Sequence, residues 1–197
     1  MTDTSRDKKW TDPQKARNGE NLEPKVCLEA FTALTNGKKD FTWSNLFYSD
    51  ESSLDGSVLR TSYTPSGDFG GEIYDAIKLW ENAKWNGKGI GITFANRSSN
   101  PFSTSLKFKV ESDPGLTKGP AAYRFSEHTI FLYKEYLSKY AKREQAGIIA
   151  HELGHAMGLE HGCRDTLMQG TNVPPGQPTT NPYVPTGFDA FILQRVR

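Results

Sequence analysis

Apolar positions recur along the chain with two different periods, and their alternation sets out an ordered series of elements. Val58, Leu59 and Tyr63 enclose Arg60-Thr61-Ser62 in a run rich in β-formers that Pro65 and Gly67 stop, which predicts a strand over 58–63. After Gly70-Gly71 the period lengthens: Ile73, Ala76, Ile77, Trp80 and Ala83 mark an amphipathic helix of about thirteen residues, ended by Asn86-Gly87. Ile90-Gly91-Ile92-Thr93-Phe94 predicts a second strand. Leu106-Lys107-Phe108-Lys109-Val110 alternates apolar with charged residues, the mark of a half-exposed third strand. Two further runs, 121–125 and 129–133, precede a helix that starts between 138 and 143 and turns Ile149, Leu153 and Ala156 toward the core.

The flanks read differently. Residues 1–20 are polar with turn signals at Asp12-Pro13 and Asn18-Gly19, as in a surface arm. Pro24, Val26, Cys27, Ala30, Phe31 and Leu34 predict a helix over 24–35, with Phe41, Trp43, Leu46, Phe47 and Tyr48 packing it onto the main body. Pro174, Pro175, Pro178, Pro182 and Pro185 describe a rigid, irregular loop. Thr186-Gly187-Phe188-Asp189 then reads as a capping box for a last helix carrying Phe191, Ile192 and Val196.

Against this frame, 197 residues suffice for one sizeable core with an appendage. The net charge of +1 gives no electrostatic reason to expect nucleic acid or a membrane surface as partner. No apolar run approaches the length that crosses a bilayer, so membrane insertion is not expected, and a monomer is.

The chemistry is concentrated in one stretch. Three of the four histidines fall in His151-Glu152-Leu153-Gly154-His155-Ala156-Met157-Gly158-Leu159-Glu160-His161. On a helix, residues four apart lie one turn along and about 40° around, so His151 and His155 present their imidazoles on one face, where one metal ion bridges them. A continued helix would carry His161 about 9 Å further along the axis and onto another side. The helix must therefore stop, and Gly158 can stop it, because it enters positive φ at little steric cost. His161 then returns as a third ligand. Three protein ligands leave a fourth position for water, as in a catalytic rather than a closed structural zinc site. Glu152, beside His151, reaches that water without being a ligand and is the candidate general base. A non-catalytic site with Glu152 as a surface residue is the plainer alternative. His128 is expected in a surface turn, apart from the ligands.

The order His-Glu-x-x-His-x-x-Gly-x-x-His resembles the zinc signature of the metzincin metallopeptidases. That family also carries a tight methionine turn beneath the metal, and Met168 in Cys163-Arg164-Asp165-Thr166-Leu167-Met168-Gln169-Gly170 is the candidate, with simple core filling as the alternative. The resemblance spans 57–197, with specific motifs only between 151 and 168, and is nearest to matrixin-like and bacterial secreted members. It implies an α+β, metzincin-like fold: a twisted mixed sheet, a zinc-binding active-site helix, a Met-turn and a C-terminal helix. It implies one catalytic zinc ion, and a protein or peptide substrate hydrolysed by a zinc-activated water with Glu152 as base. One of the runs 121–125 and 129–133 would be an edge strand on which an extended peptide pairs. The family's substrate pocket is walled by the loop after the methionine, for which Tyr183 is the candidate, with plain loop packing as the alternative. Astacin-like and serralysin-like members have a tyrosine two residues after the methionine; Gly170 stands there, so no tyrosine ligand is expected. No regular spacing of acidic residues marks a calcium loop, and calcium is left open.

The division that follows is an N-terminal extension, 1–56, either propeptide-like or wrapping, and a catalytic domain, 57–197. A catalytically silent or self-inhibited binding protein on the same scaffold, its cleft filled by the extension, is the alternative to a secreted endopeptidase. Cys27 and Cys163, if paired, close a loop worth about 5 kcal/mol on the chain-entropy model and point to an oxidising compartment. Two free thiols are a second possibility. A third is Cys27 as a thiolate on the zinc, resembling the cysteine switch of matrix metalloproteinase propeptides, although Pro24-Lys25-Val26-Cys27-Leu28-Glu29 does not match that motif. Residues 1–10 lack the apolar core of a secretory signal, so a secreted protein whose signal is absent from this sequence is expected.

Overall fold

A computed structural model describes residues 27, 28, 32, 36, 52–96, 106–112, 119–170 and 183–195. The expectations for the arm over 1–20, the aromatic cluster 41–48, most of the proline loop and Val196 lie outside the described residues.

Five strands form one sheet in the order β4-β1-β5-β7-β6. They are β1 (Val58–Ser62), β4 (Thr93–Asn96), β5 (Leu106–Glu111), β7 (Thr129–Tyr133) and β6 (Ala121–Arg124). Neighbours run parallel except β6, which pairs antiparallel with β7 in the register Ala121↔Leu132 to Arg124↔Thr129. Among the described residues the edge strand is therefore 121–124 and not 129–133. The reason lies in burial: all five residues of β7 are buried, whereas β6 is only partly covered. An apolar run covered on both faces belongs inside a sheet.

The connection from β1 to β4 contains α1 (Gly70–Asn82), of the predicted length but beginning at Gly70 and ending at Asn82, before the predicted stop at Asn86-Gly87, and a two-stranded hairpin of β2 (Lys84–Trp85) with β3 (Lys88–Gly89). The second strand expected over 90–94 begins only at Thr93. Gly91 at φ 74 breaks the extended run. Ile90 and Ile92 are nevertheless buried, so their apolar signal reported core and not ladder. After β7 come one short turn of helix, α2 (Lys134–Leu137), and then α3 (Lys142–Ala156), which contains His151 and His155. The last helix is α4 (Gly187–Arg195). The protein is thus α+β with a mostly parallel sheet.

The core lies where sheet and helices meet. Leu59, Leu106, Ile130 and Leu132 from the strands share one cluster with Ile73, Ala76, Ile77 and Trp80 of α1 and Ile149, Leu153 and Ala156 of α3. Trp80 is fully buried, and its indole N–H donates to the Ala150 carbonyl at 2.7 Å, which fixes α1 against α3 one residue before His151. Lys142 and Glu72 make an ion pair between the same two helices. Cys27 and Leu28 are helical and Thr32 is helical, in keeping with the helix expected over 24–35. Cys27 is disulfide-bonded to Cys163, which disposes of both the free thiols and the thiolate on the metal. No helix among the described residues is long and apolar enough to cross a membrane.

Candidate metal centre

The helix-stop argument can be followed atom by atom. α3 ends at Ala156, Met157 is its cap, and Gly158 takes φ 98. Gly158 N–H donates to the His155 carbonyl and Leu159 N–H to the Gly154 carbonyl, each at 2.9 Å. This pair of bonds is a Schellman closure, which satisfies the last carbonyls of the helix while reversing the chain. His161 is thereby brought back to the other two histidines.

The three imidazoles converge through Nε2. His161 Nε2 lies 3.1 Å from His151 Nε2 and 3.1 Å from His155 Nε2. The remaining nitrogens of the helical pair are held by carbonyls: His151 Nδ1–H donates to Leu167 O and His155 Nδ1–H to Leu159 O, both at 2.7 Å. With the proton on Nδ1, each Nε2 presents a lone pair, and lone pairs gathered at one point repel unless a cation sits among them. A tetrahedral centre with Zn–N near 2.0 Å separates its nitrogens by about 3.3 Å, close to the spacing here. Burial lowers the pKa of His151, and of His155 well below its ordinary value, so both rings are neutral and ready to ligate. The donor set fits a divalent zinc. All three histidines are only partly buried.

Glu152 projects beside this centre. Its Oε2 accepts the Tyr123 backbone N–H of edge strand β6 at 2.7 Å. Burial raises the carboxyl pKa to about 7, against the pull of the Tyr123 hydrogen bond and the His161 charge. A cation on the histidines would draw it back down.

Met168 is buried at 3 % exposure and packs against α3. A Cβ placed on Gly154 would stand 2.3 Å from Met168 Sδ, so the thioether occupies the space that glycine vacates on α3 between the two helical histidines. The turn is fixed at both ends. Gly162 N–H donates to Met168 O at 2.9 Å, and Leu167 N–H donates to Asp189 Oδ2 at 3.1 Å. Asp189 also accepts from Thr186 N–H and Oγ1–H, each at 2.7 Å, which is the capping interaction expected for α4. Burial raises the pKa of this carboxyl although its hydrogen bonds work the other way.

Tyr183 packs on α3 at Gly147, one turn before His151. A Cβ on Gly147 would lie 2.4 Å from Tyr183 Cβ. Burial and the neighbouring Glu144 push its phenol up to about 12. His128 is in a turn at φ 44, as expected, and is not a member of the cluster. Cys163 anchors the Cys27 disulfide two residues after His161.

Four participants escaped the sequence reading: the Tyr123 amide, the Leu159 and Leu167 carbonyls and the Asp189 carboxylate. Backbone groups leave no residue-type signal, and Asp189 was explained by its local cap alone. The glycines did leave one. Gly147 and Gly154 sit inside a helix at a cost of about 1 kcal/mol each, and such a residue signals close approach by another group.

Comparison with known proteins bears on the same segment. No curated protein matches the chain. A family model described as peptidase family M48 matches residues 102–175, from just before β5 to just past the methionine turn, and so takes in all three histidines, Glu152 and Met168. Over that segment the chain is similar to a family of zinc metallopeptidases.

Proposed function

We propose that this chain is a secreted zinc endopeptidase of the metzincin type, which cuts peptide bonds with Glu152 as general base. The observation that carries the reading is the convergence of the His151, His155 and His161 Nε2 atoms, with the Glu152 carboxylate alongside. The similarity to a zinc metallopeptidase family supports the reaction class. The third histidine after a glycine stop, and the buried methionine turn, support the finer assignment.

His151, His155 and His161 would hold the ion. Zinc bound there supplies Lewis acidity, polarising a carbonyl and acidifying water at its open position. Glu152 does the proton work. Tyr123 fixes its Oε2, so Oε1 is left to take a proton from the attacking water and return it to the leaving amine. The edge strand supplies the substrate's backbone partners. Tyr133 N–H bonds Pro120 O, so Pro120, Ala122 and Arg124 face β7 while Ala121 and Tyr123 face outward. An extended peptide that pairs with β6 does so beside the Tyr123 amide, which Glu152 already holds. Tyr183, against α3 one turn before His151, serves as a wall of the side-chain pocket. Secretion accords with the disulfide, since such bonds persist in oxidising compartments.

The test is Glu152→Ala in the zinc-loaded chain, assayed by sequencing the products from a mixed peptide library. Zinc should remain at one ion per chain while cleavage disappears; full cleavage by the variant would end the mechanism.

A further inference from the structure

The Tyr123 amide holds the candidate base, and a second set of contacts holds Tyr123. Its phenol oxygen lies 2.9 Å from Ser53 Oγ, and the same Oγ lies 2.9 Å from His128 Nδ1. Ser53 is buried at 7 % exposure, and its backbone N–H donates to the Ala156 carbonyl at 2.8 Å. Ala156 is the last residue of α3, next to His155.

One residue, lying before β1, thus joins three parts of the candidate site: the end of the metal-bearing helix, the edge strand, and the turn between β6 and β7. A hydroxyl suits the middle position because it donates once and accepts as well. Either direction of the run, Tyr123 to Ser53 to His128 or the reverse, uses it fully. Removing Ser53 Oγ would leave the Tyr123 phenol and the His128 ring each short of this partner, and the end of β6 would be free to shift.

We propose that Ser53 is a positioning residue for Glu152, acting through Tyr123, so that the end of the N-terminal extension is a working part of the site and not a removable leader. This rests on the reading of Glu152 as the base. The disulfide from Cys27 to Cys163 agrees with it, because it retains the extension on the chain even after a cut between residues 36 and 52. Tyr123 is then held at both ends: the amide by Glu152 Oε2 and the phenol by Ser53 Oγ. Sheet-edge strands have a free side, and a strand that must aim a carboxylate needs such an outer support.

The experiment compares the zinc-loaded full chain with Ser53→Ala, Ser53→Thr and Tyr123→Phe. In Ser53→Ala, kcat for a peptide should fall about tenfold or more, the usual effect of losing an outer support, with KM and zinc content unchanged. Ser53→Thr keeps the hydroxyl and should restore most of the rate. Tyr123→Phe keeps the amide but loses the phenol contact; it should match Ser53→Ala, and the double variant should be no worse. A merely structural Ser53 would lower Tm while leaving kcat intact well below it, and that result overturns the proposal. Hydrogen exchange at the Tyr123 amide gives a readout without turnover. Exchange should speed up in Ser53→Ala, and likewise in Glu152→Ala; unchanged protection in Ser53→Ala overturns the proposal. If the wild-type chain cleaves nothing, the protease reading fails by itself, while amide exchange still decides whether Ser53 holds the strand.

Discussion

Replacing Gly154 by Ala sets two known effects against each other beside the candidate metal centre. Alanine inside a helix is favoured over glycine by about 1 kcal/mol. The new Cβ, however, would lie 2.3 Å from Met168 Sδ, 3.1 Å from its Cε and 3.2 Å from Trp80 Cζ2. Ordinary contact needs about 3.5 to 4.0 Å, so the sulphur must retreat by more than 1 Å. It has nowhere easy to go. Met168 is 3 % exposed, Trp80 is fully buried, and the turn is held by Gly162 on one side and Asp189 on the other. Overpacking of this kind costs about 1–3 kcal/mol, so the net loss should be up to about 2 kcal/mol. The displaced turn also carries the Leu167 carbonyl that orients His151, so zinc affinity should fall about tenfold or more. Urea unfolding followed by tryptophan fluorescence measures the first effect, and competition with a chelator the second. Met168→Ala supplies the control. Alone it should cost about 2–5 kcal/mol as a cavity, and together with Gly154→Ala the two changes should cost at least about 1 kcal/mol less than their sum. Singles that add within about 0.5 kcal/mol, or a Gly154→Ala variant more stable than the parent, would refute the close approach of methionine and helix.

Three other outcomes follow from the same structure. Replacing both cysteines by alanine frees a loop with a sequence separation of 136 and should cost up to about 5 kcal/mol, read as a drop in Tm that added reductant reproduces in the parent chain; equal Tm values would contradict it. Asp189 has a raised folded pKa, so the folded state holds its proton more tightly, and stability is lost as pH climbs from about 4 through that folded pKa. Asp189→Asn should flatten this slope relative to the parent in urea midpoints, whereas Asp189→Ala should cost about 1–3 kcal/mol for each buried donor it leaves unpaired. Gly158→Ala forces an L side chain to φ 98 and should cost about 1–2 kcal/mol or more, with weaker zinc binding by chelator competition, since His161 depends on this reversal. Unaltered zinc affinity would mean that the reversal does not set the third ligand.

What the sequence determined alone is what short-range geometry governs. A helical repeat places His151 and His155 on one face, a glycine reverses the chain for His161, and alternation marks β5 and the apolar run of β7, because each depends on residues within a few turns of one another. The same local logic misplaced β4, since buried Ile90 and Ile92 look like ladder residues until Gly91 turns the backbone. Only the tertiary structure decided which strand is the edge, that Cys27 pairs with Cys163, that the Tyr123 amide meets Glu152, that Asp189 reaches Leu167 and that Ser53 joins Tyr123 to His128. Partners of this kind lie 22 to 136 residues apart in sequence. Their meeting is set by how layers pack and which backbone groups are left unpaired at a sheet edge, and no window of neighbouring residues contains that information.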